Sequence, residues 1–249
     1  MRFVTTLLVF ILAFVAGPAF AAKKKPDPKS AVVTAVGRPD IPSASDPENL
    51  LYLDLSTGGR VVIWLRPDAA PKMVERVKTL TRQHFYDGLL FHRVIEGFMA
   101  QTGDPKGDGT GGSTLPNVPA EFNWLPHVRG AVSAAREGSA EGATVEEVTK
   151  AENSAHSQFF IVFSPTMKLD RQYTVFGRVI SGMDYVDAIA RGEPPVHPSR
   201  ILHAYIAADN PPAYAPPPPP APVAAPATLA PSQPVLKPAP KAAPKKKAA

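Results

Sequence analysis

Between Leu51 and Ile206 the apolar residues gather into eight short strand-like runs, at 51–55, 61–65, 90–94, 97–101, 131–135, 158–163, 174–180 and 200–206. The first alternates Leu51, Leu53 and Leu55 with Tyr52 and Asp54, the two-residue period of a strand with one wet face. Ser56-Thr57-Gly58-Gly59 then turns the chain into Val61-Val62-Ile63-Trp64-Leu65, which predicts a β-hairpin. A helical period occurs twice. Met73, Val74, Val77 and Leu80 follow Asp68, placed to cap a helix entered near Pro71 and running out near His84; Met183, Val186, Ile189 and Ala190 suggest a second. Many strands at short spacing point to a closed barrel, because closure removes exposed sheet edges.

The flanks cannot join that core. Arg2, the apolar run Phe3 to Val15 and Ala19-Phe20-Ala21 read as a secretory signal over residues 1–21, since the run is shorter than the roughly 20 residues of a membrane span. Residues 22–47 carry five prolines and no sustained period, an extended leader. From Pro211 onward 14 of 39 residues are proline, so 209–249 reads as a disordered Pro/Ala/Lys-rich tail. The folded domain is therefore expected over 48–208, in a chain exported to the periplasm.

Charge follows the same division. Ten of the 27 Lys/Arg and one of the 22 acids lie in residues 1–29 and 211–249, so residues 30–210 hold 17 basic against 21 acidic side chains. A mildly acidic domain argues against a nucleic-acid partner. The terminal Lys245-Lys246-Lys247 suits electrostatic contact with an anionic envelope surface. There is no cysteine, so the fold stands on its own core, and about 160 residues can supply one as a monomer.

Residues 91–112 carry the chemistry. Phe91-His92-Arg93 precedes Phe98-Met99-Ala100-Gln101, and Gly109-Thr110-Gly111-Gly112 follows. An arginine stays charged and offers five donors in a fixed fork, so among Phe98, Met99 and Gln101 it suits an apolar pocket that hydrogen-bonds a peptide amide. The glycines are not followed by Lys-Ser or Lys-Thr and do not make a phosphate loop. The six histidines show no metal-ligand spacing, so neither metal nor cofactor is expected.

Together with Asn153 to Ile161, Leu169-Asp170 and Val175-Phe176-Gly177-Arg178-Val179, this stretch resembles the cyclophilin family of peptidyl-prolyl isomerases over about residues 48–207. The resemblance implies a closed eight-stranded antiparallel barrel with a helix over each open end. It makes Arg93 the catalytic donor, and Phe98, Met99, Phe160 and Leu169 the lining of a proline pocket closed by Tyr173. Gln101 and Gln158 would bind the substrate backbone, with Gly112, Ala135 and Arg136 beside them along the groove. Phe159, one residue out of phase, is assigned to the core.

The chain departs from the family at Arg136, where many members have asparagine, at Lys168, where eukaryotic members typically carry tryptophan, and at Tyr173, which stands for the usual pocket histidine. Residues 137–152 read as an extended acidic loop with five glutamates against one lysine. The expected activity is isomerisation of X-Pro bonds in unfolded or flexible proline-containing polypeptides, aiding the folding of exported proteins. The alternative is a non-catalytic module that binds proline-containing peptides.

Overall fold

In the second strand every other side chain is withdrawn from water: Val61, Ile63 and Leu65 are fully buried, with Arg60, Val62 and Trp64 half-buried between them. In the computed structural model, which describes residues 41–216, this strand belongs to a single eight-stranded sheet. The strands are β1 (Leu50–Leu55), β2 (Gly59–Leu65), β3 (Arg93–Ile95), β4 (Met99–Thr102), β5 (Ala131–Ala134), β6 (Phe159–Val162), β7 (Val175–Ser181) and β8 (Ile201–Ile206). Every ladder is antiparallel, in the order β3-β4-β6-β5-β7-β2-β1-β8. All eight expected runs form strands, and the fold is mainly β.

Closure is less complete than expected. No ladder joins the end strands β3 and β8; the sheet curls, and isolated bridges, Leu90 to Arg200 and Val94 to Gly192, stitch its two edges. The reason lies in the returning segment, where Pro194, Pro195 and Pro198 have no N–H to donate and so cannot sustain a ladder. The run at 90–94 correspondingly enters the sheet only at Arg93.

Inside the curl, Tyr86, Phe91, Phe159 and Phe176 are fully buried with Leu51, Leu53, Leu55, Ile63 and Leu65. Phe159 meets Tyr86 edge-on at 5.6 Å and Phe176 at 6.1 Å between ring centroids. Each such side chain contributes about 1.5–3 kcal/mol on burial. Helix α1 (Pro71–Arg82) buries Met73, Val74, Val77 and Leu80 and packs on β7 and β8.

Asp68 does not cap α1. It holds the guanidinium of Arg66 through two bonds of 2.8 and 2.6 Å, and the first turn is capped from a distance, the Glu121 carboxylate accepting from the N–H groups of Lys72 and Met73 at 3.0 and 2.9 Å. Two further helices form. The segment read as an acidic loop contains α2 (Val145–Glu152), where Thr144 and Glu147 make a reciprocal capping box. The expected C-terminal helix, α3 (Met183–Asp187), is shorter than its apolar pattern and packs on β2.

The first residues of the presumed tail are ordered against the domain: Asp209 pairs with Arg82 at 3.0 Å, Arg60 donates to the Pro212 carbonyl at 2.7 Å, and the Tyr214 hydroxyl donates to the Leu55 carbonyl at 3.2 Å. The signal, the leader up to residue 40 and the tail beyond residue 216 lie outside the described residues.

Candidate active site

Register explains how the site is assembled. Arg93 on β3 lies opposite Gln101 on β4, Gln101 opposite Phe160 on β6, Phe160 opposite Ser133 on β5, and Ser133 opposite Val175 on β7. Directly opposed residues share a face, so this row stands on the outer side of the sheet. The neighbouring row, Val94, Ala100, Ile161 and Val132, faces the interior. A second apolar cluster, built on Met99, Ala131, Phe160, Val162 and Val175, therefore lies across the strands from the main core.

That outer cluster borders a cavity of about 220 Å³. Its apolar lining comes from Phe98, Met99, Phe160, Leu169 and Tyr173, and its polar lining from Arg93, Gln101 and Arg136 beside Ala135. Nine of the eleven residues read from the sequence meet here. The other two, Gly112 and Gln158, line an adjoining cavity of about 560 Å³ that shares Gln101, Ala135 and Arg136 with the first.

The two arginines are held differently. Arg136 lies over the Tyr173 ring at 4.6 Å, donating through Nε to the Gln172 carbonyl and through Nη1 to the Glu137 carbonyl. The Arg93 side chain donates only through Nε, to Glu193 Oε2 at 2.8 Å, and makes no other hydrogen bond among the described residues. Its two Nη groups remain available to a ligand.

The amides form a chain: Gln101 Nε2 donates to Gln158 Oε1 at 2.8 Å, and Gln158 Nε2 donates to the carbonyls of Gly109 and Gly111 at 2.9 and 2.8 Å. The glycine loop is further held from below, where the Asp104 carboxylate, 1% exposed, accepts from the N–H groups of Lys106, Asp108 and Gly109 at 2.7, 3.1 and 2.6 Å. Gly112 is required for space, since a Cβ there would stand 2.5 Å from Nδ1 of His156.

The sequence reading missed a support behind the pocket. His127 is fully buried, stacked 6.2 Å from the Phe160 ring and edge-on to Tyr173 at 6.4 Å. Both its backbone N–H and its Nδ1 reach Asp170 Oδ1 at 2.8 Å, which places the ring proton on Nδ1. Burial holds its pKa below the ordinary imidazole value, with Asp170 pulling the other way. Asp170 follows Leu169 in one quoted motif, but its partner 43 residues earlier carries no local signal. His92, also buried, has its pKa pushed down by desolvation, as befits a packed neutral ring. No group of three or more His, Cys, Asp or Glu suited to a metal occurs among the described residues.

Against known proteins, the family model of cyclophilin-type peptidyl-prolyl cis-trans isomerases matches residues 52–206. A probable peptidyl-prolyl cis-trans isomerase of Brucella suis is 45% identical over 195 residues, covering 72% of this chain and 93% of that protein. Peptidyl-prolyl cis-trans isomerase B of Bacillus subtilis is 38% identical over 144 residues, 57% of this chain and 91% of that one. Among solved structures, a cyclophilin from Hirschia baltica aligns with a TM-score of 0.58 at 28% identity, covering 66% of this chain and 76% of that chain. A cyclophilin-type isomerase from Cryptosporidium parvum, crystallised in the presence of the dipeptide Ala-Pro, aligns with a TM-score of 0.55 at 25% identity over 63% of this chain and 98% of that one.

Proposed function

The chain belongs to the cyclophilin-type peptidyl-prolyl cis-trans isomerase family, and on that footing we propose that Arg93 supplies its catalytic hydrogen bond and that exported proteins are its clients. It is an enzyme, isomerising X-Pro peptide bonds in proline-containing peptides, which sets aside the non-catalytic alternative.

The barrier to be lowered is about 18–20 kcal/mol, because the amide nitrogen lone pair is delocalised into the carbonyl. Twisting the bond localises that pair on nitrogen. A donor that meets the nitrogen only in the twisted geometry binds the transition state better than either planar isomer, and that difference is catalysis. The apolar lining of the smaller cavity holds the proline ring out of water, while Gln101 offers amide groups to the flanking backbone. No proton transfer is needed, and buried His92 takes none.

The observation that carries the assignment is the contrast between the two cavity arginines. Arg136 has its fork engaged with backbone carbonyls, whereas Arg93 keeps both Nη groups unengaged. The Ala-Pro dipeptide crystallised with the Cryptosporidium relative makes a short Ala-Pro peptide the natural probe. Arg93→Ala should lower kcat/KM about 100-fold or more, the loss seen when a single oriented transition-state donor is removed. Arg93→Lys should stay impaired, since it keeps the charge but not the fork. A loss below about threefold in Arg93→Ala would transfer the role elsewhere.

Export rests on the charged, apolar and small-residue order of residues 1–21. Uncatalysed X-Pro isomerisation takes tens to hundreds of seconds and limits folding, so a periplasmic isomerase would serve newly exported chains. Recovery of a shortened chain in the periplasmic fraction supports this reading; an uncleaved chain confined to the cytoplasm overturns it.

A further inference from the structure

The edge of β3 is not bare. Arg191-Gly192-Glu193 lies along it, and Gly192 exchanges both backbone hydrogen bonds with Val94, each 2.8 Å long. An ion pair flanks this rung on either side, Arg191 with Glu96 at 2.7 Å and Glu193 with Arg93 at 2.8 Å. The tripeptide is itself anchored: Arg191 Nη1 donates to the carbonyls of Asp187 and Ile189, and its guanidinium lies 4.2 Å over the Phe163 ring. Gly192, at φ +143°, could not carry a side chain, because a Cβ would fall 2.6 Å from Pro195 Cα.

We propose that Glu193 is a positioning residue for the isomerase: its carboxylate, delivered by this clip, holds Nε of Arg93 so that the two Nη groups address the proline cavity. The inference rests on the assignment of Arg93 as the catalytic donor. Three observations lead to it. First, Arg93 stands on a three-residue edge strand and its side chain has four free torsions, yet the only group among the described residues that hydrogen-bonds its head is Glu193. Second, the bond goes to Nε, the nitrogen at the base of the fork, which fixes the guanidinium while leaving its outer edge open. Third, the pair is 43% and 50% exposed, and an ion pair so open to water adds little to stability. What it does supply is direction. A twisted amide nitrogen presents one lone pair in one direction, so a donor that swings loses the transition state more than it loses the planar substrate.

The effect should therefore appear in the chemical step and not in binding. Exchange spectroscopy on an Ala-Pro peptide at saturating and subsaturating full-length enzyme separates the bound cis–trans rate from affinity. Glu193→Ala is expected to slow the bound rate about tenfold with peptide affinity within twofold, and its urea midpoint should match the parent. Glu193→Gln keeps an oxygen that can accept from Nε and should recover at least half the rate. In an Arg93→Ala background, Glu193→Ala should change nothing further, since its effect runs through the missing arginine.

A bound rate in Glu193→Ala within twofold of the parent overturns the proposal, as does an undiminished effect of Glu193→Ala in the Arg93→Ala background. If Arg93→Ala itself retains full activity, the assignment of the donor fails first, a result distinguishable from failure of the positioning role alone.

Discussion

Strands β4, β5 and β6 are closed to water on both faces, and the two closures differ in kind. Toward the interior, Ala100, Val132, Phe159 and Ile161 meet other hydrocarbon, and the rings of Tyr86 and Phe176 complete the packing. Toward the outside, Met99, Phe160, Val162 and Val175 form a smaller cluster interleaved with Gln101, Ser133 and His127, and it stops short, leaving about 220 Å³ open. The outer face is thus a core lacking its last member, and a prolyl ring has the size and character to be that member. Interior residues answer for the existence of the fold; outer residues answer for what completes it.

Adjacent phenylalanines give the strongest test of this division. Phe159→Ala should cost about 3–5 kcal/mol in denaturant unfolding and, while the protein stays folded, change the bound isomerisation rate little. Phe160→Ala, at the margin of an open cavity, should cost nearer about 2 kcal/mol while reducing kcat/KM much more steeply. Equal losses of stability with equal activities would erase the distinction between the faces.

A weaker effect comes from pH. His92 and His127 both have pKa values depressed by burial below the ordinary 6.5. Between the folded and unfolded values the unfolded chain binds more protons, so stability is complete above about pH 6.5 and declines as pH falls toward the depressed values. The slope is at most about 1.4 kcal/mol per pH unit for each histidine. Urea titrations from pH 7.5 to 5.5 measure it, and His127→Asn should flatten the part that belongs to the outer face. A pH-independent midpoint would contradict the burial of both rings.

The smallest expected change lies outside both faces. Glu121→Ala removes the acceptor for the first turn of α1 and should cost about 1 kcal/mol with an unaltered isomerisation rate, read from paired unfolding and activity measurements. A rate loss there would show that helix docking reaches the groove.

Where the physics was local, the sequence was readable. Apolar runs located all eight strands, and helical spacing located α1, because burial of a face leaves its period in the chain. Partnerships over distance left no such mark. Asp68 stands where a cap belongs, yet Arg66, two residues away, claims it, and the working cap arrives from Glu121 about 50 residues later. Helix α2 is short and buries only Ala151, so its apolar residues give a weak signal, although Thr144 and Glu147 have the spacing of a capping box. The residues that line the two adjoining cavities were legible through contiguous motifs. Glu193, 100 residues from Arg93, and His127, 43 from Asp170, were not, since their contacts beside the cavity are ones that only folding creates.

The seating of Asp104 beneath the glycine loop bears on which solutes the enzyme ignores. Convergent backbone N–H groups on a glycine-rich turn are what phosphate-binding proteins present to their ligand. Here a carboxylate of the same chain already occupies that receptor, desolvated and held by three donors. A free oxyanion would have to evict a tethered competitor that already holds those donors. The loop thus behaves as a receptor saturated in cis.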